Sequence, residues 1–491
     1  MVKRVLAILA ALVLLLAAAV AANTLRQGSR QLQVPPAPPL AVDAQRVAET
    51  LAGAVRFRTI ASASDPALNA DQFRGLHAWL RQRFPLVHAR LQREVVGGLS
   101  LLYTWPGSDP AAPAVVFMAH QDVVPIAPGT EASWRVPPFA GALREGHVWG
   151  RGTWDDKGNL VAQLQAVEML LAAGFQPRQT VYLVAGADEE VGGTRGARQV
   201  AALLRQRQAR LAFVLDEGLF IGQGLMPGLA RPLALVGVAE KGYLSVRLRA
   251  RGAAGHTSAP PPPGRPANAI QAAARGRLDR EPFPASIDGV ARQMLETVAP
   301  EMDGLQRVAL SNLWLFEPLV RGQLERSPST NTVLRTTTAI TIVQAGNREN
   351  VIPAHAEAVV NFRLLPGDTR EGVLRRVRET AGPAVEATPL PGGLEPSAIS
   401  PTEAPSYRLL NRTLRALDPQ LVVTPALYVA GSDSHHFIGL TPHIYRFSPV
   451  RVQASDLPRL HGTDERISVA NLAELVRFYH QLLRNLNAPT A

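Results

Sequence analysis

The chain has 491 residues, 46% of them hydrophobic, which is ordinary for a globular protein and sufficient for two or three domains at roughly 100–200 residues each. It contains no cysteine, which excludes disulfides and thiolate metal ligands and leaves His, Asp and Glu to hold any zinc. The net charge is +11, but the only lysines are Lys3, Lys157 and Lys241, and the arginines are spread along the chain without a basic run, which argues against a nucleic-acid partner.

At the amino terminus, Lys3 and Arg4 precede an uncharged apolar run from Val5 to Ala22, and a proline-rich stretch follows around Pro35–Pro39. The run sits between the lengths of a signal-peptide core and a spanning helix. It predicts a single-pass membrane anchor with the body of the chain outside the cytoplasm. Cleavage near Ala19–Ala22 to give a periplasmic or secreted protein is the alternative. Residues 1–40 thus read as anchor or signal plus linker.

From Val42 the pattern is globular. Segments 41–56 and 71–84 read as amphipathic helices. The apolar run Ala114–Ala119 reads as a buried strand that ends in His120-Gln121-Asp122. Gly158–Gly174 reads as a helix, with Leu160, Leu164, Val167 and Leu171 on one face. Strands follow at Thr180–Ala185, before Asp188-Glu189-Glu190, and at Ala212–Leu215, before Asp216-Glu217. Apolar strands alternating with helices predict an α/β sheet, and in such sheets sites gather at the carboxyl ends of the strands. Each of these strands runs into His, Asp or Glu.

The middle of the chain differs. Tyr243–Ala250, Thr337–Val343 and Ala356–Arg363 read as strands, the first with clear apolar–polar alternation, and 268–275 and 369–380 as helices. Residues 245–366 therefore read as a smaller α+β domain inserted between two parts of the larger one, 41–244 and 367–491. The second part carries strands at 422–430 and 443–447 and a final helix at 469–486.

His120 and Asp122, two apart in an extended segment, project to one side, so the carboxylate can orient the imidazole. Gly150–Gly158 places Asp155 and Asp156 at a glycine-rich turn before a helix. Asp155 suits a bridge between two cations, whereas Asp156 suits either a ligand or a helix N-cap. In Asp188-Glu189-Glu190, one Glu can bind metal while its neighbour takes a proton from water. Asp216 ends the third strand in the same way, and His461 stands before the last helix. Two histidines and three carboxylates suit two zinc ions sharing a carboxylate, a pair that can activate water and stabilise a developing oxyanion.

These motifs, with Gly255-His256-Thr-Ser258 and His461–Ile467, stand in the order and spacing of a known group. The chain from about residue 45 onward resembles the metallopeptidase family of glutamate carboxypeptidase, aminoacylase, carnosinase and carboxypeptidase S. Asp216-Glu217-Gly218 and the stretch 331–363 resemble most the branch of carboxypeptidase S and the N-fatty-acyl-amino-acid synthase/hydrolases. The resemblance implies a di-zinc catalytic domain with a mixed sheet flanked by helices, and an inserted lid or dimerisation domain. It makes His120 and Asp216 ligands of one zinc, Glu190 and His461 ligands of the other, and Asp155 the bridge, with Co2+ or Mn2+ as substitutes. It makes Asp122 the support of His120, Glu189 the general base, and His256 a partner of the oxyanion. Asn350, Arg363 and Asp433 become substrate contacts, Arg363 as a fork for a carboxylate. Implied substrates are N-acyl amino acids or short peptides cut at the carboxyl end, and a homodimer accompanies the fold. A two-zinc aminopeptidase or dipeptidase is the second reading, and a non-catalytic zinc-stabilised binding protein the third. Asp464 and Trp154 depart from the family pattern without removing a ligand.

Overall fold

The computed structural model describes residues 1–487; the last four residues of the expected second catalytic segment lie outside that range. An eight-stranded mixed sheet forms the centre. Its order in space is Gln92–Val96, Ser100–Trp105, Val181–Gly186, Ala114–His120, Leu211–Gly222, Ile444–Val452, Leu233–Glu240 and Val422–Tyr428. The three expected strands are neighbours here, with Ala114–His120 parallel to both Val181–Gly186 and Leu211–Gly222. Every residue of Ala114–His120 is buried, as a parallel strand covered on both faces requires. Its side chains divide by alternation: Val115, Phe117 and Ala119 join one core cluster, while Ala114, Val116 and Met118 join another on the opposite face. Helices Lys157–Ala172 and Val469–Asn485 pack on the first face. Ala197–Gln206 contributes Val200 and Leu204 to the second. All three parallel strands consequently discharge their polar ends at one edge of the sheet.

A second, four-stranded antiparallel sheet runs in the order Thr337–Ala345, His355–Leu364, Gly242–Arg251 and Val385–Pro389. Strict alternation buries Leu244, Val246 and Leu248 against Val360 and Phe362, beneath helices Ala267–Arg280 and Arg370–Ala381. This unit departs from the expected insertion at 245–366 in two ways. It begins at Gly242 and draws a helix and its last strand from beyond residue 366. Helix Gly289–Val298, inside the expected insertion, packs instead on the large sheet's edge strand Val422–Tyr428, where Val298 meets Val422. That edge strand is apolar along most of its length and would otherwise face water.

Gln121 is a structural member of the His-Gln-Asp motif. Its Nε2 donates to the Leu99 and Ala185 carbonyls, and its Oε1 lies 2.7 Å from His77 Nε2. Burial holds the His77 pKa down to about 4, so the folded chain keeps a neutral ring. Protonation therefore favours the unfolded chain, whose histidine has the ordinary pKa near 6.5. The contribution is complete above about pH 6.5 and is lost as pH falls towards 4, an effect of about 3 kcal/mol. Unfolding followed between pH 7 and 4 should show this loss, and His77→Gln should flatten it.

Candidate metal centre

The carboxyl ends of the three central strands converge with two loops. His120 ends its strand at 1% exposure. Its Nδ1 faces the Asp122 carbonyl at 3.0 Å and the Asp122 carboxylate at 3.5 Å, which leaves Nε2 directed at Asp155 Oδ1, 2.9 Å away. The other Asp155 oxygen, Oδ2, meets His461 Nε2 at 2.9 Å. Asp155 therefore lies between the two histidines, one oxygen to each. His461 Nε2 is also 3.5 Å from Glu190 Oε2. Asp122 also braces the neighbouring turn, because its two oxygens accept the backbone N–H groups of Glu189 and Glu190 at 3.1 and 3.0 Å. Asp122 thus fixes both, its carboxylate holding the turn that carries the two glutamates and its carbonyl holding the ring of His120.

The fifth expected ligand requires a correction. Asp216 is not brought to the cluster. Its oxygens accept the backbone N–H groups of Glu217 at 2.9 Å and Ser434 at 2.7 Å. Glu217 stands at His120 instead, with Oε1 3.6 Å from Nε2. The cause is a register shift: Arg446 of the neighbouring strand pairs with Asp216, but Phe447 pairs with Leu219. Gly218 absorbs the extra length at φ +149°, where a Cβ would lie 2.7 Å from Arg446 Cβ. The only sequence signal for this was the glycine after two acids.

Among the described residues, two sets of side chains bring ligand atoms within 4.8 Å of one another: His120, Asp155 and Glu190, and His120, Asp156 and Glu217. Asp156 is completely buried. It makes no N-cap bond; Oδ2 accepts the His120 backbone N–H and Oδ1 accepts Asn159 Nδ2. The Asp155–Asp156 peptide is cis.

The electrostatics of the cluster favour a cation. Burial, then the Asp155 charge, push Glu217 up to about 8. Burial likewise raises Glu190, and it raises Glu189 well above the usual carboxylate range. Burial opposes ionisation of Asp155 too, yet the two histidines hold its pKa below the ordinary value. Hydrogen bonds that His461 donates to the Asp155 and Glu190 carboxylates lift its pKa to about 10. Glu190 Oε1 is buried with no hydrogen-bond partner. An orphaned carboxylate oxygen among crowded acids and two imidazoles fits a pair of zinc ions, whose preferred donors in a cysteine-free chain are these.

Glu465 supports the cluster from behind, a role its motif did not distinguish. Its Oε2 accepts Arg151 Nη1 at 2.6 Å, while Oε1 accepts the backbone N–H groups of Gly152, Trp154 and Asp155 at 2.9, 3.0 and 3.2 Å. It therefore shapes the turn that presents Asp155. Arg151 is 2% exposed, so Glu465→Gln leaves a buried cation unpaired and should cost about 3–5 kcal/mol, read from denaturant unfolding of the purified variant. The two family departures also have local roles. Trp154 is buried edge-on to Phe220, and Asp464 sits at φ +58°, a conformation Asp tolerates, where it accepts the Arg135 N–H.

The remaining expected residues are not members of the ligand sets. His256 and Asn350 are exposed at a small two-stranded ribbon in which His256 pairs with Val351. His256 Nδ1 is 2.8 Å from Ser258 Oγ. Arg363 is half-buried, its guanidinium 4.9 Å from the Tyr243 ring centre. Asp433 is 4% exposed and packs where a Cβ on Gly186 or Gly193 would collide with it. His436, for which the sequence suggested no role, has Nε2 3.1 Å from the Gly192 carbonyl.

Comparison with known proteins agrees with this geometry. Residues 116–485 match the model of peptidase family M20/M25/M40. The N-fatty-acyl-amino acid synthase/hydrolase of Bos taurus is 39% identical over 98% of this chain and 96% of its own length. The probable carboxypeptidase S-like 2 of Dictyostelium discoideum is 36% identical over 94% of this chain and 90% of its own length. Among solved structures, the M20 family metallo-carboxypeptidase of Sulfolobus solfataricus superposes with TM-score 0.65 at 16% identity, covering 91% of this chain and 99% of that one. Human carnosine dipeptidase 1 does so with TM-score 0.60 at 16% identity and the same coverage.

The comparison corrects the single-pass membrane expectation. The peptidase fold of the solved chains is complete without about a tenth of this chain. Among the described residues one helix, Val2–Arg26, is long and apolar enough to cross a membrane, but a signal sequence has the same length and composition. Its last turn is instead fastened to the protein: Asn23 and Gln27 donate to the Ser311 carbonyl at 2.7 and 2.8 Å, and Asn312 donates to Thr24 Oγ1 at 2.9 Å. A family match over most of the chain and a two-histidine carboxylate cluster that suits paired zinc lead to one conclusion: the chain belongs to peptidase family M20/M25/M40 and is a zinc-dependent enzyme of amide-bond hydrolysis.

Proposed function

We propose that the substrate is an N-acyl amino acid, or a short peptide cut at its carboxyl end, whose free carboxylate is held by Arg363. The observation that carries the catalytic part is the Asp122 clamp, which sets Glu189 and Glu190 side by side at the mouth of the cluster. His120, Asp155 and Glu217 would hold one zinc, and His461, Asp155 and Glu190 the other. Bound there, the ions supply Lewis acidity that makes water a nucleophile near neutral pH and stabilises charge on the amide oxygen. Glu189 takes the proton from the attacking water and returns it to the leaving amine. Arg363, planar and held over Tyr243, offers two parallel N–H groups to the substrate carboxylate. His256 and Asn350, on one ribbon, would contact the acyl side and the developing oxyanion, and Asp433 would shape the pocket floor. The named activities of the bovine and Dictyostelium relatives support this substrate class.

A homodimer belongs to the same proposal. Thr337–Ala345 is an edge strand of the small sheet and exposes Ile342 and Val343, which favours pairing with a second copy.

A hydrolysis panel on the zinc-loaded protein tests the substrate class, comparing N-acetyl and N-long-chain-acyl amino acids with dipeptides and with amino acid amides that lack the carboxylate. Cleavage of the carboxylate substrates, with a raised KM in Arg363→Ala, is expected. Equal cleavage of the amides would favour the aminopeptidase reading, and no cleavage with metal bound would contradict both.

A further inference from the structure

We infer that Glu240 is a positioning residue for Glu217, acting through Ser432, Ser434 and Asp216. The inference rests on the two-zinc arrangement proposed above. Glu240 is the last residue of the large-sheet strand Leu233–Glu240, and two residues on, Gly242 begins a strand of the small sheet. It is 2% exposed and paired at 2.9 Å with Arg446, which is fully buried.

A buried ion pair in a sheet core is an expensive way to fill space, because desolvation offsets most of the attraction and an apolar pair of equal volume would serve. The cost is visible, since Arg446 Nη2 has no hydrogen-bond partner. What the pair does is fix one oxygen. Glu240 Oε2 accepts both Arg446 Nε and, at 3.0 Å, Ser432 Oγ. With its proton committed to Glu240, Ser432 Oγ accepts from Ser434 Oγ at 2.7 Å. The backbone N–H of Ser434 donates to Asp216 Oδ2 at 2.7 Å, and Asp216 Oδ1 accepts the N–H of Glu217 at 2.9 Å. The line is unbroken from the crossing between the sheets to the residue beside His120.

Arg446 acts on the same residue from the other side. It is the strand partner of Asp216 and lies against Gly218, where the register shifts and Glu217 turns towards His120. Asp216 is thus explained as the holder of Glu217, and the ion pair as the anchor of the loop that holds Asp216.

Metal binding in the full-length chain tests this. After chelation, zinc is titrated against a competing indicator in the native protein, Ser432→Ala, Glu240→Gln and Ser397→Ala. Ser397 Oγ accepts the Glu240 backbone N–H and donates to the Ala398 carbonyl, so its loss perturbs the same place without touching the carboxylate line. Ser432→Ala should weaken one of two zinc equivalents by roughly 10–100-fold and leave the other unchanged. Its kcat should recover in excess zinc with KM unaltered, and Ser397→Ala should bind as the native chain does. Glu240→Gln should do the same as Ser432→Ala where it folds; Ser432→Ala, which keeps the ion pair, decides the matter where it does not. Two native-like zinc affinities in Ser432→Ala would overturn the inference, as would equal weakening in Ser397→Ala. A native chain that binds fewer than two zincs would overturn the two-zinc arrangement itself.

Discussion

Glu189→Gln should lower kcat by roughly two to four orders of magnitude while both zinc ions remain bound and KM changes little. The amide keeps the size of the side chain, and the backbone N–H of residue 189 still donates to Asp122, so the turn that carries Glu190 stays in place. What disappears is the group that accepts the proton and gives it back. A loss confined to kcat is the signature of an interaction made in the transition state alone. Steady-state kinetics on an N-acyl amino acid, with zinc measured in the same sample, check it. Retained hydrolysis would remove Glu189 from the mechanism and favour a different base.

The second large effect separates two adjacent acids. Glu217→Ala should remove one zinc equivalent, because it deletes the carboxylate that faces His120 Nε2. Asp216→Asn should weaken the same equivalent by roughly 10–100-fold, the range for a partner that orients a ligand. An asparagine keeps one acceptor oxygen and puts an NH2 donor in place of the other, whereas Asp216 accepts two N–H groups, from Glu217 and Ser434, so the strand end loses a contact but keeps Glu217. Zinc titration of the two variants gives the order. The reverse order, with Asp216→Asn the more damaging, would restore Asp216 as the direct ligand.

The difference between these two residues shows where the sequence was legible. His120, Asp155, Glu190 and His461 could be found because each follows a strong local signal: an apolar strand, a glycine turn, or the approach to the last helix. Side-chain alternation along Leu211–Gly222 cannot tell which of Asp216 and Glu217 faces the site, since one register shift exchanges them, and that shift depends on Arg446 in a strand more than 200 residues away. Glu465 was hidden for a similar reason. A carboxylate that shapes a turn through Arg151 and three N–H groups carries no local mark that separates it from a ligand. The small sheet was readable from alternation in Gly242–Arg251 and His355–Leu364. Its boundaries were not, because the apolar face of Gly289–Val298 does not state which sheet it will cover.

On the proposed reading, His120, Asp155, Glu190, Glu217 and His461 would together hold two zinc ions at one centre for amide hydrolysis. Stepwise addition of zinc to the chelated native protein, following bound metal and hydrolysis of an N-acyl amino acid in the same titration, tests it most directly. Hydrolysis that is absent without metal and complete at two zincs per chain is the predicted result. Full activity after chelation, or two bound zincs with no hydrolysis of any amide in the panel, would contradict it.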